Sequence, residues 1–248
     1  MAVHKLETWF STKFDTKWPC PACHHVALTI IPESFTKKDT LYSQQNTGEY
    51  WFDHEDDKSV FSCMAQCKRE GCGEVVACSR EGMWEAERDP ETGQQLSGYE
   101  QYFCPRYFWP ALHPVEITEK CPEKIRSALY ASFSVYLSQP GSAANLVRIA
   151  VEELLDAIGV PDINTEGRRM PLGVRLEHHI PAQYSEYADV LKAIKFLGNA
   201  GSHNYNSVSI RDIEDAYDIM EFVTSSLFAG RKASIDALAA RLTTRFEK

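Results

Sequence analysis

The sequence predicts an α+β chain in two parts, a β-rich first half and an all-α second half. Three observations predict this. All eight cysteines (Cys20, Cys23, Cys63, Cys67, Cys72, Cys78, Cys104 and Cys121) lie between residues 20 and 121. Short apolar runs separated by turn residues fill residues 19–104. From Pro122 onward the apolar residues recur every three or four positions. The expected divisions are a β domain over 1–104, a Pro- and aromatic-rich linker over 105–120 and a helical bundle over 121–248.

In the first half the strand candidates are 26–31, 50–52, 60–65, 74–78, 83–87 and 99–103. The turn residues at 89–93 would join two of them as a hairpin. Residues 32–49 are polar and read as a long loop. The linker takes its character from Pro105, Tyr107, Phe108, Trp109, Pro110, Leu112 and Pro114.

In the second half Ile125, Leu129, Phe133 and Tyr136 share one helix face. Leu146, Ile149, Ala150, Leu154 and Ile158 mark a second helix, stopped by Gly159-Val160-Pro161. A basic loop over 162–170 precedes a short helix over 172–180. The next helix, over 184–197, has Tyr187, Leu191, Ile194 and Leu197 as its stripe. Ser209 and Asp212 form a capping box for a helix through Ile213, Tyr217, Met220, Val223 and Leu227. A last helix, over 234–245, carries Ile235, Leu238 and Leu242.

Length and composition bound the function. The chain has 248 residues, 44% apolar and 25% charged, with a net charge of −9. That is enough for one large domain or two modest ones, each with a core. Residues 1–120 hold 12 basic and 19 acidic side chains, and residues 121–248 hold 14 and 16. Such a balance excludes whole-surface attraction to nucleic acid, though not a local basic groove. No apolar run is long enough for a membrane helix. Residues 1–18 mix charges with aromatics and lack the apolar stretch of a secretory leader. A cytoplasmic protein without a membrane partner is expected.

In a reducing compartment the cysteines read as metal ligands before they read as disulfides. Cys20-Pro-Ala-Cys23 is a knuckle by spacing. Two thiolates two residues apart grip one metal while the turn's backbone amides face the sulfurs. Cys67-Lys-Arg-Glu-Gly-Cys72-Gly supplies a second pair, with Gly71 and Gly73 permitting a tight turn. Cys20, Cys23, Cys67 and Cys72 would therefore hold one tetrahedral zinc in a zinc ribbon. Cys63, Cys78, His24 and His25 stay open as substitutes for one of these ligands. Cys104 and Cys121 read as buried thiols.

The most unusual stretch of the second half is Leu197-Gly198-Asn199-Ala200-Gly201-Ser202-His203. If the helix continues through it, Asn199 and His203 share a face. Arg148 and Glu152 are likewise one turn apart. Together with the Cys20/Cys23 knuckle and Tyr107-Phe108-Trp109-Pro110, these elements resemble a bacterial and phage-associated domain-of-unknown-function family, numbered four-one-four-five. The likeness runs over nearly the whole chain. That family is grouped with the HEPN-like helical domains, so the resemblance implies a four-helix core and a homodimer.

Many HEPN proteins are metal-independent ribonucleases, with an arginine four to six residues before a histidine. Here no arginine stands at that distance from His203, and the nearest upstream cation is Lys195. The expected function is a zinc-binding regulatory or interaction module in bacterial defence or mobile-element biology, engaging RNA, DNA or another protein. The alternative is a ribonuclease in which His203 moves protons while Lys195, Arg148 or a cation of a partner chain steadies phosphate, with Asn199 beside them. The spacing also predicts that Asn199, His203 and the Arg148/Glu152 pair meet as one polar cluster inside the bundle.

Overall fold

The computed structural model describes residues 6, 9–14, 16–88, 92, 94–203 and 207–247. The chain divides into two compact units, one over His4–His113 and the other over Pro114–Lys248 with Met1–Val3. Among the described residues no helix is long and apolar enough to cross a membrane.

The first unit is a curled antiparallel sheet. Its strands are β1 (Phe10–Ser11), β2 (Trp18–Pro19), β3 (Val26–Ile30), β4 (Thr36–Asp39), β5 (Lys58–Cys67), β6 (Val75–Arg88) and β7 (Gln95–Trp109). They run in the order β1-β7-β6-β5-β3-β2, and β4 also pairs with β5. β5 shows the two sides of the sheet. It alternates exposed and buried residues, and its buried Ser59, Phe61, Cys63 and Ala65 face inward. Phe10, Phe35, Phe61 and Phe103 fill the concave side, with the Phe61 and Phe103 rings 5.2 Å apart and Phe35 and Phe103 4.8 Å apart. Offset and edge-to-face aromatic pairs of this kind add to the gain from burial alone.

Several sequence expectations change here. The two candidates at 74–78 and 83–87 are one strand, β6. Residues 105–109, expected as linker, are the end of β7. Pro105 has no N–H for a ladder, and it sits opposite Arg80 where the register slips between Ser79 and Arg80. Residues 50–52 form a turn, not a strand. The polar stretch 32–49 holds β4 and a short helix, α1 (Leu41–Asn46), whose first turn is capped by the Thr40 hydroxyl accepting from the Ser43 N–H. Of the turn at 89–93 only Thr92 lies within the described residues.

The second unit is helical: α2 (Glu123–Val135), α3 (Pro140–Ala157), α4 (Leu172–His178), α5 (Ala188–His203), α6 (Ile210–Phe228) and α7 (Arg231–Phe246). α3 is central and packs on α2, α5 and α6. The predicted faces of α2 and α6 are buried, apart from the half-buried Leu227. On α3 the buried stripe is rotated from the expected one. Ala143, Ala144, Val147, Ala150, Val151, Leu154 and Leu155 are buried, while Leu146, Ile149 and Ile158 are partly exposed. Small residues on the true face let α5 come close. The Ser132 and Tyr217 hydroxyls, both buried, lie 2.7 Å apart and satisfy each other. The Ser209–Asp212 capping box starts α6 as predicted.

α5 runs through Gly198, Asn199 and Gly201 to His203 without a break. Interior glycines cost helix stability, and here the contact explains them. A Cβ on Gly201 would sit 2.5 Å from the Gly141 carbonyl oxygen and 3.0 Å from the Ala144 Cβ on α3. Gly201→Ala gains about 1 kcal/mol of helix propensity, but the clash is with rigid backbone. We expect a net loss of ~1–2 kcal/mol, since overpacking costs ~1–3 kcal/mol. Urea denaturation of the variant beside the wild type measures it, and an unchanged or raised midpoint would contradict this packing.

Candidate functional site

Two turns of the sheet bring four thiols together. Cys20 and Cys23 lie in the turn from β2 to β3. Cys67 ends β5, and Cys72 lies in the turn that leads to β6. The first turn is closed by the Cys20 N–H donating to the His25 carbonyl at 2.8 Å and the His24 N–H donating to the Cys20 carbonyl at 2.8 Å. The second is closed by Cys67 N–H to the Glu74 carbonyl at 2.8 Å and Cys72 N–H to the Arg69 carbonyl at 3.1 Å. Gly71 and Gly73 have φ of +77° and +70°, a left-handed geometry that glycine adopts without strain. Lys68 N–H donates to the Ala27 carbonyl at 2.9 Å and ties one turn to the other.

The four sulfurs lie within 4.8 Å of one another, close enough to hold one metal ion. Cys20 and Cys72 Sγ are 3.7 Å apart, as are Cys23 and Cys67 Sγ. The edge of a tetrahedron of thiolates at ~2.3 Å from its centre is ~3.8 Å, so both separations suit such a centre. The Cys23 thiol is pulled down to about 6, chiefly by the backbone hydrogen bond from His25. Burial pushes Cys20 up to about 12 and raises Cys67. A cation at the centre would favour the thiolate at all four.

The substitutes left open by the sequence are elsewhere engaged. The cluster contains no histidine. The His24 ring stacks on His113 with centroids 5.6 Å apart, and burial with the neighbouring His24 lowers His113 to about 4. His25 Nδ1 lies 2.6 Å from the Cys23 carbonyl oxygen. Cys63 and Cys78 are opposite one another on β5 and β6, both buried, with sulfurs 3.2 Å apart. Contact with Cys63 and burial raise the Cys78 thiol well above its usual range. This cross-strand pair was not anticipated, although the equal distance of each cysteine from the turn between them was a readable signal. Cys104 and Cys121 are buried.

In the helical unit, Arg148 and Glu152 form an ion pair on α3 at 2.5 Å. Arg169 joins it, donating to the other Glu152 oxygen at 2.9 Å. Arg148 is also held by the Asn145 side-chain oxygen, at 3.2 Å from Nε and 3.1 Å from Nη2. Arg175 on α4 is buried, paired with Asp156 and donating to the Val160 carbonyl at 2.9 Å. Arg148, Glu152, Arg169, Arg175, Lys195 and Asn199 line one open recess of about 440 Å³.

The structure therefore brings Arg148, Glu152, Lys195 and Asn199 together, but at the surface. His203 is exposed at the end of α5 and is not among the residues lining the recess. The expected interior cluster does not form, because the face of α5 turned into the bundle is the glycine face. Arg169 and Arg175 were missed in the sequence, where they belong to a loop and a short helix with no periodic relation to α3.

The comparisons divide along the same lines. Residues 130–245 match the family described as Domain of unknown function (DUF4145). Residues 8–108 match a separate one, Domain of unknown function (DUF8608). The likeness to the first family, expected over nearly the whole chain, is thus confined to the helical part. No curated protein and no solved structure matches the chain.

The tetrad makes a simple prediction. Cys72→Ser should lower the melting temperature of the β unit by several degrees, because a metal bound only in the folded state adds its binding energy to stability. Cys104→Ser alters a buried thiol outside the tetrad and should leave metal content unchanged. Scanning calorimetry with metal analysis on both variants tests this. Equal metal content in Cys72→Ser and wild type would refute it.

Proposed function

We propose that the protein is a zinc-bearing interaction module that works as a homodimer, and not a ribonuclease. Zinc is the metal that four soft thiolates in a tetrahedron favour, and with no open position such a site is structural. The observation that carries the interaction reading is α7. Ile235, Leu238, Leu242 and Phe246 recur at three- and four-residue steps on one face, and all are between 44% and 67% exposed. A stripe of that kind on a 16-residue helix is a surface for another protein.

Charge selects a second copy as the partner. On α7 Arg241 and Arg245 are exposed beside this stripe. The outer face of α6 has exposed Asp215 and Asp218 two turns and one turn before Phe222, itself 56% exposed. α7 of one protomer laid across α6 of its partner would cover Phe222 with Leu238 and Leu242 and bring unlike charges together. Made reciprocally, this is a closed two-fold assembly.

The ribonuclease alternative lacks comparable support. His203 is exposed, and Lys195, the cation nearest upstream, lines a recess whose lining does not include His203. Extended nucleic acid also fits poorly with a net charge of −9.

Light scattering on the purified chain should give a dimer mass in the micromolar range. Leu238→Glu with Leu242→Glu should give a monomer with unchanged far-ultraviolet dichroism, since both side chains are already in water in the single chain. A wild-type monomer at all concentrations, or a dimer untouched by the double change, would refute the proposal.

A further inference from the structure

We propose that Cys63 and Cys78 are a site of reversible oxidation, closed by a peroxide to a disulfide between β5 and β6. The pair uses no residue of the tetrad or of α7, so it stands or falls apart from the reading above. Cys63 and Cys78 are directly opposite each other in the antiparallel ladder. Opposed residues of such a ladder have Cα atoms ~4.5 or ~5.5 Å apart, and both values fall within the ~4.4–6.8 Å that a disulfide spans. The two sulfurs are already 3.2 Å apart. Side-chain rotation, not strand movement, closes the rest of the way to the ~2.05 Å of the bond.

The same distance argues against a metal at this pair. The near sulfurs of the tetrad are 3.7 Å apart, which suits the ~3.8 Å edge of a shared metal tetrahedron. Cys63 and Cys78 are too close for that edge. Among the described residues no further cysteine, histidine or carboxylate joins them as a ligand.

Access selects the oxidant. A groove of about 480 Å³ has both cysteines in its lining, with Met64, Ala77, Tyr107 and Trp109 around them. The two residues are only 4% and 3% exposed. That suits a small neutral oxidant such as hydrogen peroxide and shields the sulfurs from a bulky disulfide such as oxidised glutathione. Contact with Cys63 and burial hold the proton on Cys78, so Cys63 is the sulfur that attacks. Its thiolate takes one peroxide oxygen, the O–O bond breaks, water leaves and a sulfenic acid remains. The Cys78 sulfur then attacks the Cys63 sulfur and the S–O bond breaks. The Cys78 proton departs with the hydroxyl as a second water. Two thiols lose two electrons and one peroxide becomes two waters.

The bond would act on the second knuckle. Residues 63–78 contain both Cys67 and Cys72. A crosslink around a loop of about 15 residues removes freedom from the unfolded chain, and this one fastens the hairpin that carries the knuckle. Where thiols are otherwise kept reduced, such a bond is transient and reports the oxidant.

The test uses the whole chain as purified without chelator. It is treated with a small molar excess of hydrogen peroxide, alkylated with N-ethylmaleimide and mapped by mass spectrometry without reduction. One crosslinked peptide pair, Cys63 to Cys78, should appear and disappear again with dithiothreitol. Oxidised glutathione in place of peroxide should give a far lower yield. The melting temperature of the β unit should rise by several degrees on oxidation and fall back on reduction. Cys78→Ala treated alike should show no crosslink and no rise, and its Cys63 should be trapped by dimedone as the sulfenic acid. The proposal is overturned if both wild-type cysteines come back alkylated, or if the crosslink joins members of the tetrad instead. It also fails if the bond forms without the rise, or if oxidised glutathione matches the peroxide.

Discussion

Four sulfurs crowd together where two turns of the β unit meet, a geometry that a bound cation would make favourable. Cys20 and Cys23 come from one turn, Cys67 and Cys72 from another more than forty residues later, and their sulfurs share a sphere less than 5 Å across. Thiolates at that distance repel, and thiols there gain little. A metal turns the same geometry into a crosslink. Such a crosslink would add to the apolar core of the sheet. Phe10, Phe35, Phe61 and Phe103 pack in the curl of the sheet, whereas near the knuckles Val26 and Val75 are 46% and 40% exposed. Buried Trp18, Leu28 and Val76 continue the core towards the knuckles, and a metal held by the tetrad would fasten the two turns beyond them. The alignment of β3 with β5, Leu28 opposite Cys67, fits the same arrangement, since it sets the two turns side by side.

The helical unit rests on a different constraint, the close approach of α3 and α5. Gly141, Ala144 and Gly201 remove the side chains that would hold the two backbones apart. Gly198, one turn earlier on α5, lets Arg148 lie along the same seam. A single run of small residues therefore serves packing and also places a guanidinium at the rim of a recess. This accounts for Asn199 as well. It stands next to Gly198 on the helix, one step round from the contact face, and so reaches the surface where Lys195 already lies.

The sequence disclosed the parts of this architecture whose signals are local. The C-x2-C spacing, the glycine-flanked second pair, the capping box at Ser209 and the buried stripes of α2 and α6 all depend on residues within a turn or two of each other. Long-range features stayed hidden. A proline argues against a strand, so the sequence ends its last strand candidate before Pro105, and only the register slip opposite Arg80 makes that proline tolerable. Gly198 to His203 read equally well as a terminating turn, since the small residues of α3 that favour a continuous helix lie more than fifty positions earlier. The stripe of α7 announced a helix, yet periodicity cannot distinguish a face buried in its own chain from one left open. The recess was invisible for the same reason: Arg148, Arg169, Arg175 and Lys195 come from four segments whose only relation is spatial.

A zinc ion held by this tetrad would have cysteine sulfurs as all four of its ligands. X-ray absorption at the zinc edge of protein purified without chelator measures this directly. A single shell of four sulfurs at ~2.3 Å with no nitrogen contribution is expected. A fitted shell containing nitrogen at ~2.0–2.1 Å, or no zinc to observe, would contradict it, because either would mean that the sulfur tetrad is not what fastens the two turns.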